Sequence, residues 1–341
     1  MKICIYTIKE LKDWIFQGLN NGLSNSIISN ARALALINNP YATDATPAIA
    51  VAFNDEDKPV GYTAVLVDKL NDEFIYFGTT GFIDSSMRGK GVGTKLYSAM
   101  MEACNNRWFA TDSAPAALTI SKKTGLNISY YNRYYLSFEH SNSLKSYIRW
   151  KWMNKVNKDV LNKIKITTSL EVLRCIDDKT YKFIKEHSKD NLFQRSKEIF
   201  NWILQYPFKA CAPQDLSEYS EYDFTTSLPQ YSIYAFKIQK DGKTIGFAIF
   251  RLNMGDLVLL YLFYDDKYNN DVYMSLIKHI LKQDIKRFRT FDKELIDFYN
   301  SIGTLSMNAK SRVIEVSLSY PKDLSLNSTL SLQGGDGDMF C

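Results

Sequence analysis

Three glycines at alternate positions, Gly89, Gly91 and Gly93, stand in Arg88-Gly89-Lys90-Gly91-Val92-Gly93, and no other stretch constrains the fold as strongly. Before it lies an unbroken apolar run, Phe74 to Phe77, extended through Gly78-Thr79-Thr80-Gly81 to Phe82-Ile83. Continuous apolarity predicts a strand buried on both faces, and its glycines predict a bulge or a close backbone approach. After it, Val92, Leu96, Ala99, Met100 and Ala103 fall at i, i+4, i+7, i+8 and i+11, one face of an amphipathic helix. A buried strand, a loop with bare backbone and a helix N-terminus follow one another. That order requires an α/β framework and points main-chain N–H groups at whatever anion lies past the strand end.

Composition bounds the rest. A chain of 341 residues predicts two domains, each long enough for its own core. Hydrophobic residues at 45% and charged residues at 23% belong to a globular protein. The 42 basic residues nearly balance 37 acidic ones, and a net charge of +5 is too mild to predict nucleic-acid binding. Cys4, Cys104, Cys175, Cys211 and Cys341 show neither disulfide nor zinc spacing, so a reducing compartment and no metal are expected. Charge returns at Lys9-Glu10, too early for a signal peptide, and no apolar run is long enough to span a membrane. The expectation is a cytoplasmic protein.

Along the chain, Met1 to Ile8 reads as a strand, and Glu10 to Ile37 carries helical spacing interrupted near Asn20-Asn21-Gly22. Ala48 to Phe53 and Val60 to Val67 read as strands joined by a polar hairpin. Trp108-Phe109-Ala110 is a further strand, and Pro115 to Lys123 a short helix stopped by Gly125. This gives a first domain over 1–141, a basic linker over 142–165 and a second domain over 166–341. The second half repeats the order of elements: Gly242-Lys243-Thr244-Ile245-Gly246-Phe247 answers Asp57 to Tyr62, and Leu257 to Phe263 answers the buried strand. Where the first half has its glycines, the second has Asp265-Asp266-Lys267-Tyr268-Asn269-Asn270, whose carboxylates repel a pyrophosphate. Gln333-Gly334-Gly335-Asp336-Gly337-Asp338 lacks the further ligands of a calcium loop and reads as a turn near a frayed C-terminus.

Spacing tests what the loop binds. A Walker A loop fails, because Thr94-Lys95 rather than Lys-Ser/Thr follows Gly93. A dinucleotide fingerprint fails as well, since the spacing is GxGxG and the loop follows the fourth predicted strand. The pattern R/Q-x-x-G-x-G/A is met by Arg88, Gly91 and Gly93. With its strand and helix, the segment resembles the GNAT superfamily of acetyl-CoA-dependent N-acyltransferases. The likeness is clear over about 1–140 and weaker beyond, where it is similar to two-domain members with a degenerate second copy.

The resemblance implies an α/β mixed sheet, a GNAT-like acyl-CoA N-acyltransferase fold in tandem, and acetyl-CoA as cosubstrate. Amides of Gly89, Gly91, Val92, Gly93 and Thr94 would converge on the pyrophosphate beside Arg88. Backbone groups near Phe82 and Ile83 would bind the pantetheine arm, in a slot opened by the parting of the Trp108-Phe109-Ala110 strand. An amine would attack the thioester directly, with an N–H around Gly81-Phe82 holding the oxyanion. Base candidates are Asp72, Glu73 and Asp84, or a water held by Thr79 and Thr80. The acid position, four residues before Gly125, holds Ser121 instead of the usual tyrosine, and Ala114 replaces an asparagine. A thiol with reference pKa near ~8.5 leaves acceptably without an acid. The expected partner is a small-molecule amine, and Tyr130-Tyr131-Asn132-Arg133-Tyr134-Tyr135 makes a nucleotide-linked amino sugar the first candidate. The alternatives are a Fem-type aminoacyl transferase, which needs a basic channel for tRNA, and a non-catalytic CoA sensor.

Overall fold

Local chemistry sets the strand ends. In the first hairpin Asn54 Oδ1 accepts from the N–H groups of Glu56 at 3.0 Å and Lys58 at 2.9 Å, and Asp57 takes a left-handed φ of 56°. The computed structural model describes residues 1–16, 28–138, 148, 151–152, 167–188, 190–211, 227–228, 230–283, 285–302, 309–327 and 329–337. The first half runs β1 (Lys2–Thr7), α1 (Ile8–Phe16), α2 (Asn30–Ile37), β2 (Pro47–Phe53), β3 (Pro59–Leu70) and β4 (Glu73–Ile83). It continues with α3 (Val92–Ala103), β5 (Trp108–Thr111), α4 (Pro115–Lys123) and β6 (Asn127–Ser137). The second half has β7 (Thr168–Leu173), α5 (Asp178–Glu186), α6 (Lys197–Gln205), and the small pair β8 (Ala210–Cys211) and β9 (Ser227–Leu228). Then come β10 (Tyr231–Lys240), β11 (Lys243–Asn253), β12 (Asp256–Tyr264), α7 (Asn269–Lys282), β13 (Arg287–Thr290), α8 (Lys293–Ser301) and β14 (Lys310–Tyr320). Most of the basic segment 142–165 lies outside the described residues; Ile148, Lys151 and Trp152 within it are exposed.

Twelve strands form one sheet in the order β1-β2-β3-β4-β5-β14-β6-β13-β12-β11-β10-β7. The first and second halves of the chain are thus joined by an exchange at the centre. β14, from the end of the second half, lies antiparallel to β5, while β6, from the first, lies antiparallel to β13. β6 and β14 pair with each other over their whole length, from Asn127↔Tyr320 to Ser137↔Lys310. One face of the sheet carries a single core shared by both halves, with Leu11 and Leu36 from α1 and α2 joining Ile199, Phe200 and Ile203 of α6. Trp202 Nε1 donates to the Ala35 carbonyl at 2.8 Å across that junction. The other face holds two separate cores, one under α3 and one under α7 and α8.

The tail departs from expectation. Residues Gly334–Gly337 do form a turn, but it is buried, not frayed. Asp336 is fully buried beside Arg195, whose Nη2 donates to the carbonyls of Gly335 and Gly337, both at 3.3 Å. Arg195 Nη1 lies 2.8 Å from Asp68 Oδ2 and its Nε 3.8 Å from Asp336 Oδ1. The glycines are steric necessities: a methyl on Gly334 would overlap the Leu259 carbonyl, and one on Gly335 the ring of Tyr261.

Burial pushes the Asp336 carboxyl up to about 7, with the Arg195 guanidinium opposing, and burial also raises Asp68. A folded pKa above the unfolded value means that the fold holds the proton more tightly than the unfolded chain. The associated stability is full below about pH 4 and is lost as pH rises through about 7. Asp336→Asn is therefore expected to flatten the decline of urea midpoint between pH 4 and 7. An unchanged slope would show that Asp336 does not titrate in that range.

Candidate active site

β4 and β5 pair in parallel only at Tyr76↔Trp108 and Phe77↔Phe109, and beyond them they part. Just past that vertex β4 bulges: Val65 of β3 faces Gly78 and Ala64 faces Thr80, leaving Thr79 as the extra residue. Thr79 is buried, and its Oγ1 has no hydrogen-bond partner among the described residues. The parted strands open a cleft of about 450 Å³ walled by Thr63, Gly81, Phe82 and Ile83 on one side and by Gly93, Leu96, Tyr97, Ala117 and Ile120 of α3 and α4 on the other. Its mouth is the glycine loop. Gly89 and Gly91 have φ of 77° and 78°, and α3 starts after Gly91 with no side-chain cap, so its leading N–H groups are free to meet an anion. Arg88 lines the cleft and its Nε donates to the Ile83 carbonyl at 3.1 Å, tying the loop to the strand end. A methyl on Gly93 would come within 2.8 Å of Ile120, so glycine there keeps α3 close to α4.

The second half repeats this geometry and fills it. β12 and β13 pair only from Asp256↔Arg287 to Val258↔Arg289, and Leu260 is the bulge residue, between Leu259 facing Phe250 and Tyr261 facing Ile249. Into this notch comes the tail. Gly335 N–H donates to the Leu260 carbonyl at 2.8 Å, and the Gln333 carboxamide accepts from Leu262 N–H at 2.9 Å and donates to its carbonyl at 3.4 Å. Leu262 sits two residues past its bulge, as Gly81 does in β4, so the molecule displays an amide seated where the first notch presents Gly81. A single turn, Asp266–Tyr268, leads straight into α7, with no glycine loop. A cleft of about 370 Å³ beside the tail is lined by Asp190, Asp266, Asp292 and Glu294. Burial raises Asp292 to about 6.

Residues 24–118 match the sequence model of the Acetyltransferase (GNAT) family. Over those residues the chain belongs to the GNAT family. No curated protein matches it. Among solved structures, a tandem GNAT protein from the clavulanic acid biosynthesis pathway aligns with TM-score 0.52 at 11% identity, over 95% of this chain and 99% of that one. A putative acetyltransferase from Pyrococcus horikoshii aligns with TM-score 0.50 at 10% identity, over 96% and 92%. N-myristoyltransferase from Saccharomyces cerevisiae, with bound myristoyl-CoA, aligns with TM-score 0.52 at 13% identity, over 99% and 83%. The tandem GNAT fold therefore extends across the whole chain, and the superfamily is one of acyl-CoA N-acyltransferases.

Within this GNAT framework the structure gathers Phe82, Ile83, Arg88 and Gly93 around the cleft, with Gly89 and Gly91 in the loop at its mouth. Val92 turns its side chain into the core under α3, leaving only its backbone, and that of Thr94, to the helix N-terminus. Glu73 is not brought to the site. It opens β4, eight residues from Gly81 or about 26 Å along a strand, and its carboxylate lies 3.8 Å from Arg107. Asp72 shares that far turn, and Asp84 is occupied as an N-cap, accepting from Ser86 N–H at 2.8 Å. Ser121 is fully buried on α4, one residue beyond the cleft-lining Ile120, with its Oγ unpartnered among the described residues. Ala114 lines the cleft. Tyr130 to Tyr135 lie on β6, where Tyr135 is buried against Arg133 and, of the tyrosines, only Tyr130 is exposed. Thr79 is the group that sequence reasoning reached only loosely. Its signal was the glycine-flanked Thr79-Thr80 pair inside an apolar strand.

Ser121→Ala is expected to lower turnover less than tenfold, because a thiol is acidic enough to leave without an acid and the hydroxyl is enclosed. A thousandfold loss of kcat at unchanged CoA affinity would make Ser121 the proton donor.

Proposed function

We propose that this chain is an acetyl-CoA-dependent N-acetyltransferase acting on a small-molecule amine, for which an amino sugar is the first candidate. The observation that carries the reading is the glycine loop at an uncapped helix N-terminus, opening onto a notch beside a bulged strand. The helix end and the amides of Gly89, Gly91, Val92, Gly93 and Thr94 would hold the pyrophosphate. The edge of β4 from Gly81 to Ile83 would hold the pantetheine amides, as β12 holds the Gln333 carboxamide. The arm would then lie along β4 with its thioester at the Thr79 bulge.

There the neutral amine of the acceptor would attack the carbonyl carbon. A C–N bond forms, the C–S bond breaks, the ammonium proton passes to water and the sulfur leaves as thiolate. A backbone N–H near Gly81 and Phe82 would stabilise the developing oxyanion. The Thr79 hydroxyl, which has no partner among the described residues, would hold the water that takes the proton. The second notch, filled by the tail and lined with carboxylates, is proposed to take no CoA.

Calorimetry with acetyl-CoA, beside a thiol-release assay over a panel of amino sugars, polyamines and amino acids, tests the reading. One-to-one binding with release on an amine is expected. Binding without release on any acceptor favours a CoA sensor, and absence of binding overturns the cofactor assignment.

A further inference from the structure

The vertex of the β4–β5 notch is sealed by aromatic rings on both faces of the sheet. On the α3 face, Trp108 is fully buried and its six-membered ring lies so close to Gly78 that a methyl on that glycine would overlap it. Tyr97, which lines the cleft, packs on it with ring centroids 5.2 Å apart. On the opposite face Phe77, Phe109 and Phe193 form a closed trio, with centroid separations of 5.5, 5.3 and 6.2 Å. Gly337 of the tail presses on that trio, where a methyl would stand 3.0 Å from Phe77. Interiors packed in this way leave no channel for an extended chain.

We propose that Trp108 limits the acyl group to a few carbons by closing the notch at its vertex. The inference rests on the acyl-CoA reading of the cleft given above and deepens it, by naming the residue that selects the donor. An acyl group on a thioester at the Thr79 bulge points to the place where β4 and β5 rejoin. A short acyl group would stop before the indole, and a longer chain would meet Trp108 on one face and the phenylalanine trio on the other. The indole shares its core with Met100 and Cys104, both buried. Removal of the indole would therefore leave an apolar cavity continuous with the notch, of the kind that accepts alkyl chains. It would also leave no hydrogen-bond partner behind, since Nε1 of Trp108 has none among the described residues.

The test is a calorimetric series on the full chain with CoA and with acetyl-, butanoyl-, hexanoyl- and octanoyl-CoA. In the unsubstituted protein, affinity is expected to fall at least tenfold from acetyl- to hexanoyl-CoA. In Trp108→Ala it should rise about fourfold for each methylene that the cavity takes up. Trp108→Leu, which keeps the core filled, should shift the cut-off by a smaller amount and serves if the alanine variant does not fold. Equal affinity for acetyl- and octanoyl-CoA in the unsubstituted protein would overturn the inference, as would an unchanged profile in a folded variant. Binding of CoA itself separates the two claims. If CoA binds with a flat chain-length profile, only the role of Trp108 falls; if CoA does not bind, the cofactor reading falls and takes this inference with it.

Discussion

Gly91→Asp is expected to reduce acetyl-CoA affinity by about a thousandfold while leaving the fold intact. Gly91 immediately precedes α3 with φ of 78°, and nothing lies within 4 Å of where its Cβ would stand. Aspartate tolerates the left-handed region better than most residues, so the backbone cost is on the order of 1 kcal/mol. The electrostatic cost is larger. A carboxylate about 4 Å from a pyrophosphate charge, at an effective dielectric near ~20, is repelled by about 4 kcal/mol, or roughly three decades in affinity. The matched control is Lys267→Asp, in the turn that occupies the loop's place in the second half. It should leave affinity unchanged. Calorimetry with acetyl-CoA reads both, and full affinity in Gly91→Asp would remove the basis for placing the pyrophosphate at α3.

The second large effect is on stability. Arg195→Ala should lower unfolding free energy by about 3–5 kcal/mol, because it strands buried carboxylates without their cation. Arg195 and Asp68 are 6% and 2% exposed and Asp336 is 0%, so water cannot replace the guanidinium. Against a total of roughly 5–15 kcal/mol for a folded protein, that is a large share. The loss should be partly recovered in Arg195→Met/Asp68→Leu, which removes the attraction and the burial cost together. Urea midpoints of the two variants decide the matter. If Arg195→Ala unfolds at the same midpoint as the parent, the cluster does not hold the tail.

Much of this was legible in the chain itself, for reasons that can be named. The glycine loop, the buried strand before it and the helix after it are contiguous, and each is written by a local rule of spacing or turn chemistry. The order of elements in both halves follows in the same way. What escaped were pairings between distant segments. Nothing near residues 310–320 says that this strand will lie beside Thr111, since an alternating strand accepts any edge of matching register. The tail misled because Gly334, Gly335 and Gly337 signal a turn whether they face solvent or the Tyr261 ring. Glu73 misled for a simpler reason: membership of the strand that borders the cleft says nothing about which end of that strand opens onto it.

The exchange of β6 and β14 also governs how the molecule can be made. A ribosome delivers β5 and β6 early, yet the strand that belongs between them is β14, finished about 180 residues later. At roughly 5–20 residues per second that interval is on the order of 10–40 s. Throughout it, the nascent first half holds three unsatisfied strand edges, one of β5 and both of β6, and half of its notch lacks support. Translation speed over the second half, and whatever shields those edges meanwhile, thus bear on yield as directly as any residue of the cleft. A fragment ending near residue 141 should behave as an unfinished intermediate, and a separately supplied 309–337 segment should fill the gap between β5 and β6 while leaving open the β6 edge that β13 covers.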